Sequence, residues 1–261
     1  MPRVPFSIGA DPEIFCINEK KQFISAVGKF GGTKSRPKPI GNGCAVQEDN
    51  VAVEFNIQPA TNAESFIESI SFAMGKIEQM AKRSKLSLSI TASTSFNANQ
   101  LRSRGARTFG CEPDINAWTY QENPRPSSRN PRLRTAGGHI HIGWLNEKLD
   151  DVLVARAFDV YLAAPLAQVD PDKRRRELYG NAGAMRFKPY GLEYRVLSNY
   201  WLRSETLMQW VYAQTNRAIQ HVKNGMPVGE ELHELVVECV DFSKSEAFDE
   251  LNRRFALVVP H

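Results

Sequence analysis

The 261-residue chain has few cysteines, a small charge excess and no obvious targeting segment. Its cysteines, Cys16, Cys44, Cys111 and Cys239, are far apart and form no CxxC pair, which fits a reducing compartment. The N-terminal segment lacks the apolar run of a signal peptide, and we expect that no segment approaches the roughly 20 apolar residues of a membrane span. We therefore expect a folded cytoplasmic protein.

The formal charge of +4 is modest, but it is unevenly distributed, because arginines crowd positions 102–134 and a basic run covers 173–176. Such runs are usually solvated surface, and nucleic acid is only one of the anions that they could bind.

The chain length lies at the upper end of the range that a single hydrophobic core usually supports. We predict one domain over residues 1–261, with a catalytic sheet at about 5–201 and a helical part at about 203–256.

Several local patterns predict secondary structure. Residues 51–58 alternate strictly between apolar and polar side chains, as a half-buried strand does, and Glu54 lies on the polar face. Thr61 and Glu64 fit a capping box ahead of a long amphipathic helix that ends near Arg83. Asp150 is expected to cap a second helix, which Pro165 kinks or ends. Residues 28–43 and most of 97–134 are predicted to be loops.

Four strand segments share one anomaly, which is an apolar face opposite a face of ionisable groups. Side chains alternate along a strand, so residues two apart share a face. In the first segment Asp11 and Glu13 share a face, and in the second Glu54 lies on the polar face. His139 and His141 share a face of the third segment, as Glu193 and Arg195 do in the fourth. If all four line one surface, at least four carboxylates need compensating cations. Carboxylate oxygens suit Mg²⁺ or Mn²⁺, Mn²⁺ also tolerates an imidazole, and Arg195 would complement a phosphate.

The glycine-rich segment 28–35 resembles a phosphate-binding loop but does not satisfy that motif. Thr33 occupies the position that requires glycine, and the Arg36-Pro37-Lys38-Pro39 run cannot open the helix that must follow. We therefore do not assign a nucleotide site to this loop.

The four segments, in this order, resemble the carboxylate–amine ligases of the glutamine synthetase and glutamate–cysteine ligase superfamily. Two longer motifs resemble the COOH-NH2 ligase type 2 proteins associated with tailed bacteriophages. The motifs are Gly110-Cys111-Glu112-Pro113-Asp114-x-Asn116-Ala117-Trp118 and Tyr179-Gly180-x-Ala182-Gly183-Ala184-x-Arg186-x-Lys188-Pro189-Tyr190-Gly191-x-Glu193-Tyr194-Arg195.

This resemblance implies an α+β fold, with a glutamine-synthetase-like curved antiparallel β-sheet, helices packed on its outer face and a helical C-terminal segment. It also implies a site for ATP and Mg²⁺ or Mn²⁺ on the concave face. The implied metal ligands are Asp11, Glu13, Glu54, His139 and Glu193. The implied nucleotide contacts are His141, Arg195 and Arg186.

In such ligases a carboxylate attacks the terminal phosphate of ATP, and an amine displaces the resulting acyl phosphate. The implied catalytic cations are Arg195, Arg186 and Lys188, while Glu112 and Asp114 match the family without an assigned role. Amino acids, peptides, modified bases and protein side chains all fit as substrates. The expected cytoplasm is that of the host if the chain is phage-encoded, and neither a membrane nor nucleic acid is an expected partner.

Two alternatives remain open on the sequence alone. A cupin-like metal enzyme could also present His-x-His to an ion, but it usually needs another histidine, and His221 and His233 lie in predicted helices. A non-catalytic phage binding module could contact nucleic acid through the Arg-rich residues 102–134, and its binding would fall steeply with salt.

Overall fold

The computed structural model describes residues 6–107, 114–124, 126–226 and 228–260. The strands are β1 (Phe6–Ala10), β2 (Glu13–Ile17), β3 (Phe23–Ile24), β4 (Lys38–Gly41), β5 (Cys44–Asp49), β6 (Ala52–Asn56), β7 (Ser87–Ser89), β8 (Ser93–Ser95), β9 (Ile115–Asn116), β10 (Leu133–Thr135), β11 (Ile140–Trp144), β12 (Ala184–Lys188) and β13 (Gly191–Tyr194). The α-helices are α1 (Ala63–Arg83), α2 (Arg104–Arg107), α3 (Asp151–Phe158), α4 (Ala164–Val169), α5 (Glu205–Lys223), α6 (His233–Val240) and α7 (Ser245–Phe255).

Two antiparallel sheets dominate the described residues, and one chain segment joins them. The first has the order β1-β11-β13-β12-β9, and the second has the order β3-β2-β6-β5-β4, with β7 also paired to β2. The chain passes from the first sheet to the second at Asp11 and Pro12. Backbone bonds continue across this break, since Asp11 N donates to His139 O (3.3 Å) and Phe55 N donates to Pro12 O (3.3 Å). The predicted α+β fold with a curved antiparallel sheet is therefore confirmed.

The apolar face of the sheets lies against helices in one hydrophobic core. Helix α1 packs on β5 and β7, α3 packs on β12 and β13, and α5 lies against both helices. Ile140 and Ile142 of β11 and Leu192 and Tyr194 of β13 are fully buried in this core. Because side chains alternate along a strand, the neighbouring ionisable residues face away from the helices.

The segment Asp151–Val169 is long and apolar enough to cross a membrane by composition, contrary to the expectation that no run reaches that length. However, 83% of its apolar window is buried inside the protein, as in the core helix of a globular fold.

Asp150 caps α3 as predicted, with its side chain accepting from Val152 N and Leu153 N. A π-helical stretch, Asp159–Ala163, separates α3 from α4, and Pro165 lies in the first turn of α4.

Two local predictions are wrong in detail, and one strand was not predicted. The residue that caps α1 is Asn62, whose side chain accepts from Ser65 N, so the Thr61 capping box does not form. Residues 28–43 are not entirely loop, because they contain β4. Arg186 and Lys188 lie on a regular strand, β12, which the sequence analysis did not predict. That strand was missed because its glycine-rich flanks resemble a turn region.

The Gly-rich segment 28–35 binds a side chain of the protein itself. Backbone N–H groups of Gly28, Lys29, Phe30 and Gly31 all donate to the carboxylate of Glu48, over distances of 2.7–2.9 Å. These bonds hold the pKa of Glu48 below its usual range, although burial opposes them. Consecutive amides that point into one concavity form an anion nest, and here an internal carboxylate fills it. The segment is therefore not an open phosphate loop.

Candidate active site

The break between β1 and β2 divides two carboxylates that the sequence groups together. Asp11 lies within the break and Glu13 begins β2. Asp11 lies beside His141, with 3.0 Å between Oδ2 and Nε2, whereas Glu13 lies directly across from Glu54 of β6. Two separate groups of potential metal ligands result, one on each side of the break.

The first group, the acidic cluster, consists of Glu13, Asp49 and Glu54. One oxygen of each carboxylate lies within 4.8 Å of the others. Glu13 Oε2 accepts from Gly137 N at 2.7 Å, and Glu54 Oε1 accepts from Gln47 Nε2 at 2.9 Å. Two of the three ligands match the predicted metal set, and Asp49 is an addition that the structure supplies.

Burial and mutual repulsion make the ionised forms of Glu13 and Glu54 in the acidic cluster unfavourable. Burial, together with the charge of Asp49, raises the pKa of Glu13 to about 7. Burial also raises the pKa of Glu54 well above its usual value, and the nearby Asp11, Glu13 and Asp49 carboxylates add to this effect. An oxygen-only set of this kind suits a hard divalent cation, which would remove the repulsion. The residues present therefore fit Mg²⁺ or Mn²⁺.

The second group, the histidine group, consists of Asp11, His141 and Glu193. His141 lies directly between Gly9 and Glu193 in the sheet register, and its Nδ1 is 2.7 Å from the Tyr190 hydroxyl. Despite burial, His141 and His139 hold the pKa of Asp11 well below its usual range, while Asp11 raises the pKa of His141. Asp11 and His141 therefore each favour the charged form of the other.

Three cations converge on Glu193. Arg195 Nη1 contacts Glu193 Oε1, Arg186 Nη1 is 3.3 Å from the same oxygen, and Lys188 Nζ is 2.7 Å from Oε2. Although burial opposes ionisation, chiefly Arg195 lowers the pKa of Glu193 to about 2. Glu193 is therefore an ionised carboxylate already compensated by protein cations, and the histidine group needs a metal less than the acidic cluster does.

The predicted site residues lie together, but His139 and His141 differ from expectation in their neighbours. His139 Nδ1 is 3.5 Å from Asp11 Oδ1 and 3.9 Å from Glu193 Oε1, yet it belongs to neither three-ligand group within the described residues. Burial, with the charge of Arg195, lowers the pKa of His139 to about 4, so its ring is neutral. A metal role for His139 remains a prediction, and the structure brings His141 closer to such a role.

The glycines before His139 have a packing reason. A side chain on Gly138 would meet Ser198 O at 2.3 Å and Trp201 Nε1 at 2.4 Å. Trp201 Nε1 also donates to Gly138 O at 3.0 Å. This close approach fixes the entry into β11, and with it the positions of both histidines.

Three residues at the site were missed or left without a role. Asp114 accepts from Arg195 Nε at 3.0 Å and from Asn123 Nδ2 at 2.9 Å, so it orients the arginine. Asp49 could have been found from the tight turn at Asn50, which has a positive φ and joins two alternating strands. Tyr190, the partner of His141, carried no signal beyond its place in the family motif. Glu112 lies outside the described residues.

The structure argues against the cupin-like alternative. On α5, His221 Nδ1 lies 3.0 Å from the Tyr161 hydroxyl, and the His233 ring stacks on Trp118, so neither supplies a third histidine ligand. In the Arg-rich region, Arg134 is buried and donates to the carbonyls of Ala106, Pro131 and Leu133. That arginine stabilises the fold, whereas the other described arginines of the region are exposed, namely Arg102, Arg104, Arg107, Arg129 and Arg132. The nucleic-acid alternative therefore stays a prediction.

Comparisons with known proteins agree with the sequence motifs. Residues 130–248 match the family described as Phage phiEco32-like COOH.NH2 ligase-type 2. The predicted resemblance is therefore confirmed over this part of the chain, which contains both histidines, β12 and β13, and it supports a carboxylate–amine ligase. No curated protein sequence matches the chain significantly.

Among solved structures, the chain is similar to one described as "Apo GmaS without ligand". The two share 12% sequence identity with a TM-score of 0.45, over 97% of this chain and 68% of the other.

Proposed function

We propose that the chain is an ATP-dependent carboxylate–amine ligase that requires Mg²⁺ or Mn²⁺ and proceeds through an acyl phosphate. The observation that carries the proposal is the juxtaposition, across the break between the two sheets, of the acidic cluster and the three cations around Glu193. A divalent cation bound by carboxylates beside arginines and a lysine is the arrangement that phosphoryl transfer uses. The family match over residues 130–248 supports the same reaction class.

In this proposal Glu13, Asp49 and Glu54 would hold the cation, and Asp11 with His141 and Glu193 would offer a second position. When bound, the cation supplies charge neutralisation at the phosphate oxygens. Arg195, Arg186 and Lys188, which hold Glu193 in the ligand-free protein, would turn partly to the more highly charged triphosphate.

The proposed reaction has two steps. An oxygen of the acid substrate bonds to the terminal phosphorus, and ADP leaves. The amine nitrogen then bonds to the acyl carbon, phosphate leaves, and the amine loses a proton. Both steps develop negative charge on oxygen, and each well-placed donor contributes on the order of 10² to 10³ in rate. We further propose that one domain carries the whole site and works in the cytoplasm.

The first test is thermal unfolding with and without ATP and Mg²⁺ or Mn²⁺, for the native chain, Glu54→Gln and the exposed helix variant Glu68→Gln. Ligand at about 100 times its dissociation constant adds about 2.7 kcal/mol, which is roughly 5 to 10 °C for a chain of this size. The shift should need the metal, disappear in Glu54→Gln and persist in Glu68→Gln. A chain that no metal–nucleotide pair stabilises contradicts the proposal.

The second test traps the acyl phosphate. Hydroxylamine replaces the unknown amine and converts an acyl phosphate to a hydroxamate, which gives a coloured complex with ferric ion, so only the acid must be varied. Pools of amino acids, peptides and small carboxylic acids would be incubated with ATP and Mg²⁺. We expect hydroxamate and ADP in equal amounts from at least one pool. ADP without hydroxamate would indicate an ATPase that does not activate a carboxylate.

A further inference from the structure

Arg175 is a buried cation that takes part in neither ligand group. It is 3% exposed. Its Nη1 donates to Val196 O at 2.7 Å and its Nη2 donates to Arg195 O at 3.1 Å. Both acceptors are neutral carbonyls, and Nε is buried without a hydrogen-bond partner. A buried donor without a partner costs about 1 to 3 kcal/mol, so such a group calls for an explanation.

The backbone at Gly180 packs closely against the Arg175 guanidinium. Gly180 has a φ of +78°, and a Cβ added to it would lie only 1.7 Å from Arg175 Nη1. A side chain at position 180 would therefore displace the guanidinium. Gly180 belongs to the second family motif, which gives that part of the motif a physical role in holding Arg175 against the end of β13.

Arg175 lines a cavity of about 50 Å³ that also touches the acidic cluster. Glu13 and Asp49 line this cavity, as do Arg195 and His139. A water needs about 10 to 15 Å³ on this measure, so the space holds a few waters or one small end group and excludes a nucleotide. The other void that Arg175 lines is only about 10 Å³ and admits at most one water.

We propose that this cavity, named here the Arg175 cavity, binds the carboxylate end of the acid substrate, with Arg175 as the residue that recognises it. The proposal rests on the ligase function argued above and narrows the substrate to acids with an unbranched, accessible carboxylate. One carboxylate oxygen accepts from the free Nε–H of Arg175, and the other faces the wall formed by Glu13 and Asp49, where the proposed metal would bind. The rest of the substrate lies outside the cavity because only an end group fits.

Small carboxylates test the cavity without knowledge of the true substrate. Thermal unfolding of the full chain with saturating Mn²⁺ would be measured against sodium formate, acetate, pivalate and phosphate, with chloride keeping the ionic strength constant. Formate and acetate should raise the midpoint saturably, with half-saturation at about 1 mM or above, since so few atoms cannot bind tightly. Pivalate should be at least tenfold weaker because its branched carbon does not fit.

Arg175→Lys keeps the charge but removes Nε–H and should weaken formate and acetate at least tenfold. Arg174→Lys is the matched control, because Arg174 is an exposed neighbour, and it should behave as the native chain. Both variants should keep the ATP–Mn²⁺ shift, since the cavity excludes nucleotide. If Arg175→Lys does not fold, the comparison of formate with pivalate on the native chain still tests whether the cavity selects small, unbranched carboxylates.

Two results would overturn the inference while leaving the ligase proposal intact. One is a native chain that ATP–Mn²⁺ stabilises but formate and acetate do not. The other is equal carboxylate binding by Arg175→Lys and the native chain. Phosphate that binds the native chain more tightly than formate, and that Arg175→Lys weakens, would instead assign the cavity to a phosphoryl group and would also overturn the inference. Absence of any ATP–Mn²⁺ effect on the native chain would mean that the ligase proposal itself has failed.

Discussion

Glu13 and Glu54 lie directly opposite each other on the paired antiparallel strands β2 and β6. Like charges in this position destabilise a sheet, and Asp49 adds a third carboxylate to the same group. The ligand-free protein therefore keeps an unfavourable arrangement in the middle of its sheet, and a bound cation would relieve it. This relationship leads to predictions with opposite signs for neighbouring residues.

Glu54→Gln should stabilise the metal-free protein. Glutamine keeps an oxygen for the bond from Gln47 Nε2 and removes the charge opposite Glu13. We expect a gain of about 0.5 to 1 kcal/mol, or roughly 1 to 4 °C in the melting temperature, together with loss of stabilisation by Mn²⁺. Calorimetry with and without Mn²⁺ measures both the melting temperature and the stabilisation by Mn²⁺. The control Glu68→Gln should behave as the native chain in both measurements. A less stable variant, or one that Mn²⁺ still stabilises, would contradict a metal role for Glu54.

Glu13→Gln should stabilise the metal-free protein more as the pH rises. Burial and Asp49 raise the pKa of Glu13 from 4.5 to about 7, so the folded chain keeps a proton that the unfolded chain has lost. The stability that Glu13 contributes is thus complete below about pH 4.5 and is lost as the pH rises through about 7. The melting temperatures of variant and native chain should be close at pH 5, and the variant should be the more stable at pH 8. A difference that does not change between these pH values would show that Glu13 titrates normally.

Glu193→Gln should destabilise the protein, in contrast to Glu54→Gln. Glu193 is 2% exposed and neutralises Arg195, Arg186 and Lys188. Removing one partner of a buried ion pair costs about 3 to 5 kcal/mol. The cost should fall near the lower limit, because the Lys188 side chain is 27% exposed and can turn to solvent. Denaturant unfolding measures the change, and equal stability of variant and native chain would mean that these ion pairs are not maintained.

Lys188→Met should reduce the reaction rate with little change in stability. Methionine keeps much of the aliphatic stem, and the half-buried position tolerates the loss of charge. We expect hydroxamate formation to fall by about 10² to 10³, with partial recovery in Lys188→Arg. Lys34→Met, at an exposed loop position, is the control. An unchanged rate in Lys188→Met would remove Lys188 from the catalytic cations.

The sequence alone predicted much of the fold because its signals are local. Alternation in 51–58 correctly places Val53 and Phe55 in the core and Glu54 on the opposite face. Helical periodicity gives α1 and α5, and Asp150 marks the start of α3. Strand β12 was missed because its glycine-rich flanks resemble a turn region, although it forms a tight hairpin with β13.

The sequence also determined which face of each strand carries the ionisable groups, since alternation follows from the geometry of an extended chain. It could not determine which of these groups meet, because register is set by pairing between distant segments. Pro12 interrupts the first strand, so Asp11 joins His141 and Glu193, while Glu13 joins Glu54 and Asp49. Two carboxylates that are neighbours in sequence therefore belong to different ligand groups, and only the tertiary structure decided this.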